Sequence, residues 1–204
     1  MLLETIRIVA GEFCNTDLHL ERMHRSTMEL YGCAAPTPDF DPALIPESLR
    51  PATAKCRILY DADSYTMEFH PYTPRTVRSL RLAEANDIDY HLKYADRSAL
   101  DSLAQKKGDA DEILIVNQGL VSDTTYSNII CIGAEGRWLT PRRPLLRGVM
   151  RQWLVNAGVV EEADITPEML RPGNSAGISA VVMINAMLPP GATPPIPVEN
   201  IVGL

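Results

Sequence analysis

Lys93 stands in greasy company, in the run Y-H-L-K-Y with Tyr90, His91, Leu92 and Tyr94 around it. An amine desolvated in such a setting holds its proton less tightly, and the neutral form can attack a carbonyl to give a Schiff base. On an open surface the same residue is a solvated charge, so Lys93 gains meaning only from its company. Further on, R-G-V-M-R at Arg147 to Arg151 opens a helix after a glycine. The unpaired amides of a helix N-terminus favour an anion. Three other residues have plain readings when taken alone. Asp123, in S-D-T-T-Y-S-N, caps a turn; Arg22, in H-L-E-R-M, is a helix charge; Asn185, in M-I-N-A-M, ends a strand.

Elements must position these groups. Leu2 to Val9 alternates and is rich in branched residues, which predicts a strand. Asp17 is the expected N-cap of a helix from Leu18 to Tyr31 that stops at Gly32. Ala34 to Pro51 is a proline-rich connection around a short helix near Ala43 to Leu49. Lys55 to Tyr60 and Ser64 to His70 predict a hairpin across D-A-D, and Val77 to Ala85 a further strand. In the second half Ser98 to Lys107 suits a helix ended by Gly108. Glu112 to Val116 reads as a buried strand followed by an N-Q-G turn. Tyr126 to Ile132 and Arg137 to Leu139 form a strand pair, Gly148 to Ala157 a helix, and Ile178 to Asn185 a last strand before a proline-rich tail. The pattern is α+β with mainly antiparallel pairing.

Composition excludes several classes. A net charge of −7 leaves no general basic surface for nucleic acid or an acidic membrane. Cys14, Cys33, Cys56 and Cys131 are scattered, without metal-ligand spacing or a disulfide framework, which points to a reducing compartment. Neither a signal peptide nor a long apolar run is present, so a cytoplasmic protein is expected. His19, His24, His70 and His91 have no triad-like spacing and read as structural, and Ser127 lacks the glycines of a nucleophile elbow.

Read together, L-E-T-I-R, H-L-E-R, H-L-K-Y-A-D-R-S, G-L-V-S-D-T-T-Y-S-N, W-L-T-P and L-L-R-G-V-M-R resemble the class IV aminotransferase family. These are the fold type IV enzymes that use pyridoxal phosphate. The resemblance runs from Glu4 to about Val198. It implies two small domains, residues 1–86 and 87–204, with a pared-down N-terminal domain. It further implies pyridoxal 5′-phosphate as cofactor and a homodimer; no metal is expected, because the residues lack ligand spacing. By the same resemblance Lys93 forms the Schiff base and shuttles the proton between Cα and the cofactor. Asp123, with Asn128 at the matching distance, stands where relatives usually place a glutamate against the pyridine nitrogen. The amides of Val149 and Met150 would hold phosphate oxygens, with Arg22 as charged partner and Asn185 with Ala186 as the second phosphate turn. Relatives often carry threonine where Met150 stands. Glu4, Arg7 and Arg97 would border the substrate side, although an ion-pair role suits Arg97 equally.

The resemblance implies chemistry on a small amino substrate that begins with proton abstraction at Cα. One branch is a lyase like 4-amino-4-deoxychorismate lyase, releasing pyruvate and leaving p-aminobenzoate for folate synthesis. The D-R after Lys93 and the N-A-M near the C-terminus look like that branch. The alternative is an aminotransferase for D-amino or branched-chain amino acids, and a further alternative is a relative that kept the fold without the activity.

Overall fold

In the computed structural model, which describes residues 1–203, contacts divide the chain into two units. The first comprises Met1–Pro74 with Leu92–Asp96; the second comprises Arg75–His91 and the chain from Arg97 onward.

In the first unit β1 (Leu2–Val9) turns back into β2 (Glu12–Phe13), and α1 (Thr16–Tyr31) follows. The hairpin of β3 (Ala54–Tyr60) and β4 (Tyr65–Pro71) completes an antiparallel sheet of order β2-β1-β3-β4. Strict alternation builds its core. Ala54, Cys56, Ile58 and Tyr60 of β3 are buried while the residues between them are not. Their register partners on β1 include Ile6 opposite Cys56 and Ile8 opposite Ala54. With Leu2 and with Met23 of α1 they close one apolar cluster. Full burial of one such isoleucine contributes about 1.5–3 kcal/mol. The N-cap of α1 is Asn15, in left-handed backbone at φ 55°, whereas Asp17 falls inside the first turn. A carboxylate there still complements the helix dipole. Gly32, also left-handed, ends α1 with its N–H on the Met28 carbonyl.

The second unit contains two sheets. β5 (Leu80–Glu84), α2 (Ser98–Ala104), β6 (Glu112–Asn117) and β7 (Leu120–Val121) come first in the chain. β8 (Asn128–Ile132), β9 (Trp138–Pro141), α3 (Val149–Asn156) and β10 (Glu161–Ala163) follow. β11 (Ala180–Ile184), β12 (Ile196–Pro197) and β13 (Ile201–Val202) complete the unit. The orders are β13-β5-β6-β7 and β10-β9-β8-β11-β12. Pairing is more mixed than alternation implied: β5 runs parallel to both β6 and β13, and β9 runs parallel to β10. Parallel strands need a long crossover, and α2 lies within the one joining β5 to β6. The proline-rich tail contributes β12 and β13 to the two sheets. β5 therefore belongs with the second unit, and residue 86 lies within that unit rather than at its edge.

Leu80, Leu114 and Val121 of one sheet meet Ile129, Cys131, Val181 and Met183 of the other in the main core. The far face of β8 and β11, through Ile130, Val182 and Ile184, receives Met150 and Leu154 of α3. β8 is thus buried on both faces, which explains its continuous apolar run. Among the described residues no helix is long and apolar enough to cross a membrane.

Candidate active site

Alternation along β1 turns Glu4 inward beside Leu2 and Ile6, and a buried carboxylate must be paired. α1 supplies the partners. His19 and Arg22 are nearly one turn apart and share a face of the helix. Arg22 Nε donates to Glu4 Oε1 at 2.7 Å and Nη2 to Oε2 at 2.5 Å, a fork that fixes the guanidinium. His19 Nδ1 lies 2.6 Å from Oε2, and all three side chains are buried. Burial alone would raise the Glu4 pKa, but Arg22 and His19 outweigh it and bring it down to about 2. His19 moves down as well, because burial opposes its charged form more than Glu4 favours it. A neutral imidazole donates from Nδ1, which leaves Nε2 an acceptor, and that atom has no hydrogen-bond partner.

The charge of Lys93 also disfavours a charged His19, which places the lysine near this cluster. Its segment is tied to the start of β1 by main-chain bonds. Leu3 N–H donates to the Lys93 carbonyl at 2.9 Å, and Ala95 N–H donates to the Met1 carbonyl at 3.1 Å. Leu92 and Tyr94 on either side pack into the apolar cluster, so a half-buried lysine is held between two anchors. Arg7 lies on the opposite face of β1 from Glu4, in register with Lys55, and its Nε is buried without a partner.

The second unit holds the other group of candidates. Asp123 is buried just before β8. Its Oδ1 accepts from Asn128 Nδ2 at 2.9 Å and its Oδ2 from Leu146 N–H at 2.8 Å. Burial raises its pKa to about 7 against those donors and the charge of Arg151. Asn128 Nδ2 also donates to the Leu146 carbonyl at 2.8 Å. Two residues on, Gly148 is the N-cap of α3. Its missing side chain is necessary, since a Cβ there would lie 2.0 Å from Asn128 Oδ1. The first intrahelical bond runs from Gln152 N–H to the Gly148 carbonyl, which leaves the amides of Val149 and Met150 as first-turn donors. Such a terminus favours an anion by about 0.3–1 kcal/mol, more when partly buried.

The Asn185 turn is used differently from the α3 terminus. Asn185 Nδ2 donates to the Tyr126 carbonyl and Ser127 Oγ, and Oδ1 accepts from Met187 and Leu188 N–H. Its own N–H donates to the Leu188 carbonyl, so Asn185 builds the turn and Ala186 is left to present an amide. Arg97, just before α2, donates from Nη2 to the Thr125 carbonyl at 2.9 Å and lies over the Tyr90 ring.

Comparison with known proteins joins these two groups to one family. The model of the amino-transferase class IV family matches residues 1–190. The chain belongs to the class IV aminotransferase family. An uncharacterised protein of Haemophilus influenzae is 33% identical over 188 residues, 91% of this chain and 97% of that one. A structure from Haemophilus somnus, provisionally called a 4-amino-4-deoxychorismate lyase, superposes with a TM-score of 0.81 at 30% identity. The match covers 92% of this chain and 96% of that one. A provisional amino-acid aminotransferase from Mesorhizobium loti gives 0.71 at 28% identity, over 96% and 97% of the two chains.

Membership makes the chain an enzyme and pyridoxal 5′-phosphate its cofactor. The residues present fit that group: a half-buried lysine on an anchored segment, a buried carboxylate with no cation bonded to it, and first-turn amides behind a glycine. Class IV motifs alone did not bring out Ser122, the Leu146 main chain, or His19 as the partner of Glu4. The H-x-x-R spacing carried a signal for His19, because residues three apart on a helix face one way. Leu146 carried none, since a backbone donor leaves no mark on residue type.

Proposed function

We propose that this class IV enzyme is a lyase of the 4-amino-4-deoxychorismate type, acting on an amino substrate by proton abstraction at Cα. The observation that carries the cofactor chemistry is Asp123, a buried acid holding its proton near neutrality beside a helix terminus suited to phosphate. Likeness to the Haemophilus somnus structure over nearly both whole chains supports the lyase, together with D-R after Lys93 and N-A-M at the Asn185 turn.

Bound pyridoxal phosphate supplies the Schiff-base carbon and the electron sink that takes up the pair released when a bond at Cα breaks. Every other task falls to side chains and amides of this chain. The Lys93 amine would supply the lone pair that attacks a carbonyl, and its Nζ would take up the Cα proton. With the cofactor bound, Asp123 would hold the pyridine proton, Val149 and Met150 would donate to phosphate oxygens, and Arg22, aimed by Glu4, would add a charge. Arg7 and Arg97 are the candidates for substrate carboxylates.

An aminotransferase is the second reading, favoured by the Mesorhizobium loti structure, and D-amino or branched-chain amino acids are the substrates to try for it. Both share the proton transfer at Cα, and they part at the product. The test is a substrate panel on the loaded protein. Pyruvate release from aminodeoxychorismate, without an amino acceptor, supports the lyase. Acceptor-dependent ketoacid formation from D-alanine or leucine supports the transaminase. Neither product from any donor would identify a non-catalytic relative.

A further inference from the structure

The segment between β9 and α3 is fastened at four points by three side chains from around the start of β8. Ser122 Oγ donates to the Arg143 carbonyl at 3.2 Å and accepts from Leu145 N–H at 2.8 Å. Asp123 Oδ2 accepts from Leu146 N–H, and Asn128 Nδ2 returns to the Leu146 carbonyl, each at 2.8 Å. Both hydrogens of the Asn128 amide are thereby used, one on Leu146 and one on Asp123 Oδ1. Asn128 Oδ1 then rests against Gly148, in the space a side chain would take. The turn that leads into Val149 and Met150 is set by these contacts.

We propose that Ser122, Asp123 and Asn128 form a strap that positions the phosphate-binding turn, so that the acid serving the cofactor's ring also holds its phosphate cup in place. Ser122 and Asn128 are positioning residues under this scheme, acting on the cofactor through Leu146 and Gly148. The inference rests on the pyridoxal phosphate reading of the site. It also accounts for an aspartate where relatives usually carry glutamate. The two oxygens already meet Asn128 and Leu146 at 2.9 and 2.8 Å, so one more methylene must break a bond or push the turn outward. Restoring the usual residue should therefore harm cofactor binding.

The test measures dissociation constants for pyridoxal 5′-phosphate and for pyridoxal, which lacks the phosphate. Absorbance follows adduct formation, and borohydride reduction with peptide mass locates the adduct. In Ser122→Ala one hydroxyl is lost, and the preference for the phosphorylated ligand should fall about fivefold while pyridoxal binds as before. Asp123→Glu should weaken pyridoxal 5′-phosphate about tenfold or more. Equal weakening of both ligands in Ser122→Ala, no change in either, or undiminished binding by Asp123→Glu would each overturn the strap. A parent protein with no reducible adduct at Lys93 would instead overturn the functional reading, and the strap with it.

Discussion

Replacing Gly148 by alanine probes the tightest point of the site. Gly148 sits at φ −71° and ψ 146°, an extended conformation open to any residue, so backbone strain is not the issue. Space is. The new Cβ would stand 2.0 Å from Asn128 Oδ1 and 3.2 Å from its Cγ, and real Cβ contacts essentially never fall below 3.0 Å. An asparagine tip could ordinarily rotate aside. Here rotation breaks the Nδ2 bonds to Asp123 and Leu146, both in buried or part-buried surroundings. Leaving those partners unmade costs about 1–3 kcal/mol each, so the substitution should remove roughly 2–6 kcal/mol. For a chain of this size that lowers the melting temperature by roughly 4–24 °C.

A double-mutant cycle separates this cause from others. Asn128→Ala by itself loses the two bonds and should cost a similar amount. Combined with Gly148→Ala it removes the colliding oxygen, and the double variant should be hardly less stable than Asn128→Ala. Thermal or urea unfolding of the four proteins reads the coupling. Additive losses, or a Gly148→Ala protein within about 1 °C of the parent, would refute the contact as described.

Other outcomes follow from the same geometry. Lys93→Ala should yield a protein whose pyridoxal phosphate absorbance shows no borohydride-reducible adduct, with folding by circular dichroism unchanged. Glu4→Gln leaves Arg22 buried without its anion and should destabilise the protein by about 3–5 kcal/mol in urea unfolding. Because the Glu4 pKa is depressed, its stabilisation is present above its ordinary 4.5 and lost as pH falls toward about 2, roughly 3 kcal/mol in all. Asp123 runs the other way: its pKa is raised, so its contribution is complete below 3.8 and fades as pH rises to about 7, roughly 4 kcal/mol without cofactor. Unfolding of the cofactor-free protein between pH 4 and 7 should show that decline, and Asp123→Asn should flatten it.

Much of this was legible in residue order because the relevant rules are local. β1 and β3 announce themselves by alternation, and α1 by its apolar face and Gly32. Lys93, Asp123 and the Gly148 turn are recognisable as family motifs. Pairing partners were less accessible. Nothing in Leu80–Glu84 says that it will lie parallel to Glu112–Val116, since that choice is made by the crossover and the shared core. The tail looked irregular because two-residue strands such as Ile196–Pro197 and Ile201–Val202 carry no period at all. Nor does residue order show that the Asn185 side chain makes four bonds, two to Met187 and Leu188 N–H within its own turn and two to Tyr126 and Ser127. The bond from Leu146 N–H to Asp123 is invisible to sequence, because it joins a side chain to a distant main chain.

Two buried carboxylates, Glu4 and Asp123, show how environment decides what an acid is for. Glu4 has an arginine forked onto it and a histidine beside it, so it stays ionised and serves as a fixed anchor for Arg22. Asp123 is also buried but is met by neutral donors, among them the amide of Asn128 and the main-chain N–H of Leu146. Arg151, the cation whose charge reaches it, is bonded to Glu162 and the Pro141 carbonyl. A carboxylate denied a bonded cation in a dry setting keeps its proton up to about pH 7, and yields it cheaply only when a positive group arrives. The pyridine nitrogen of the family's cofactor would become such a group by taking up that proton. On the proposed reading, the same shortage of cations that makes Asp123 a poor stabiliser of the fold near neutral pH suits it to hold the ring of pyridoxal phosphate.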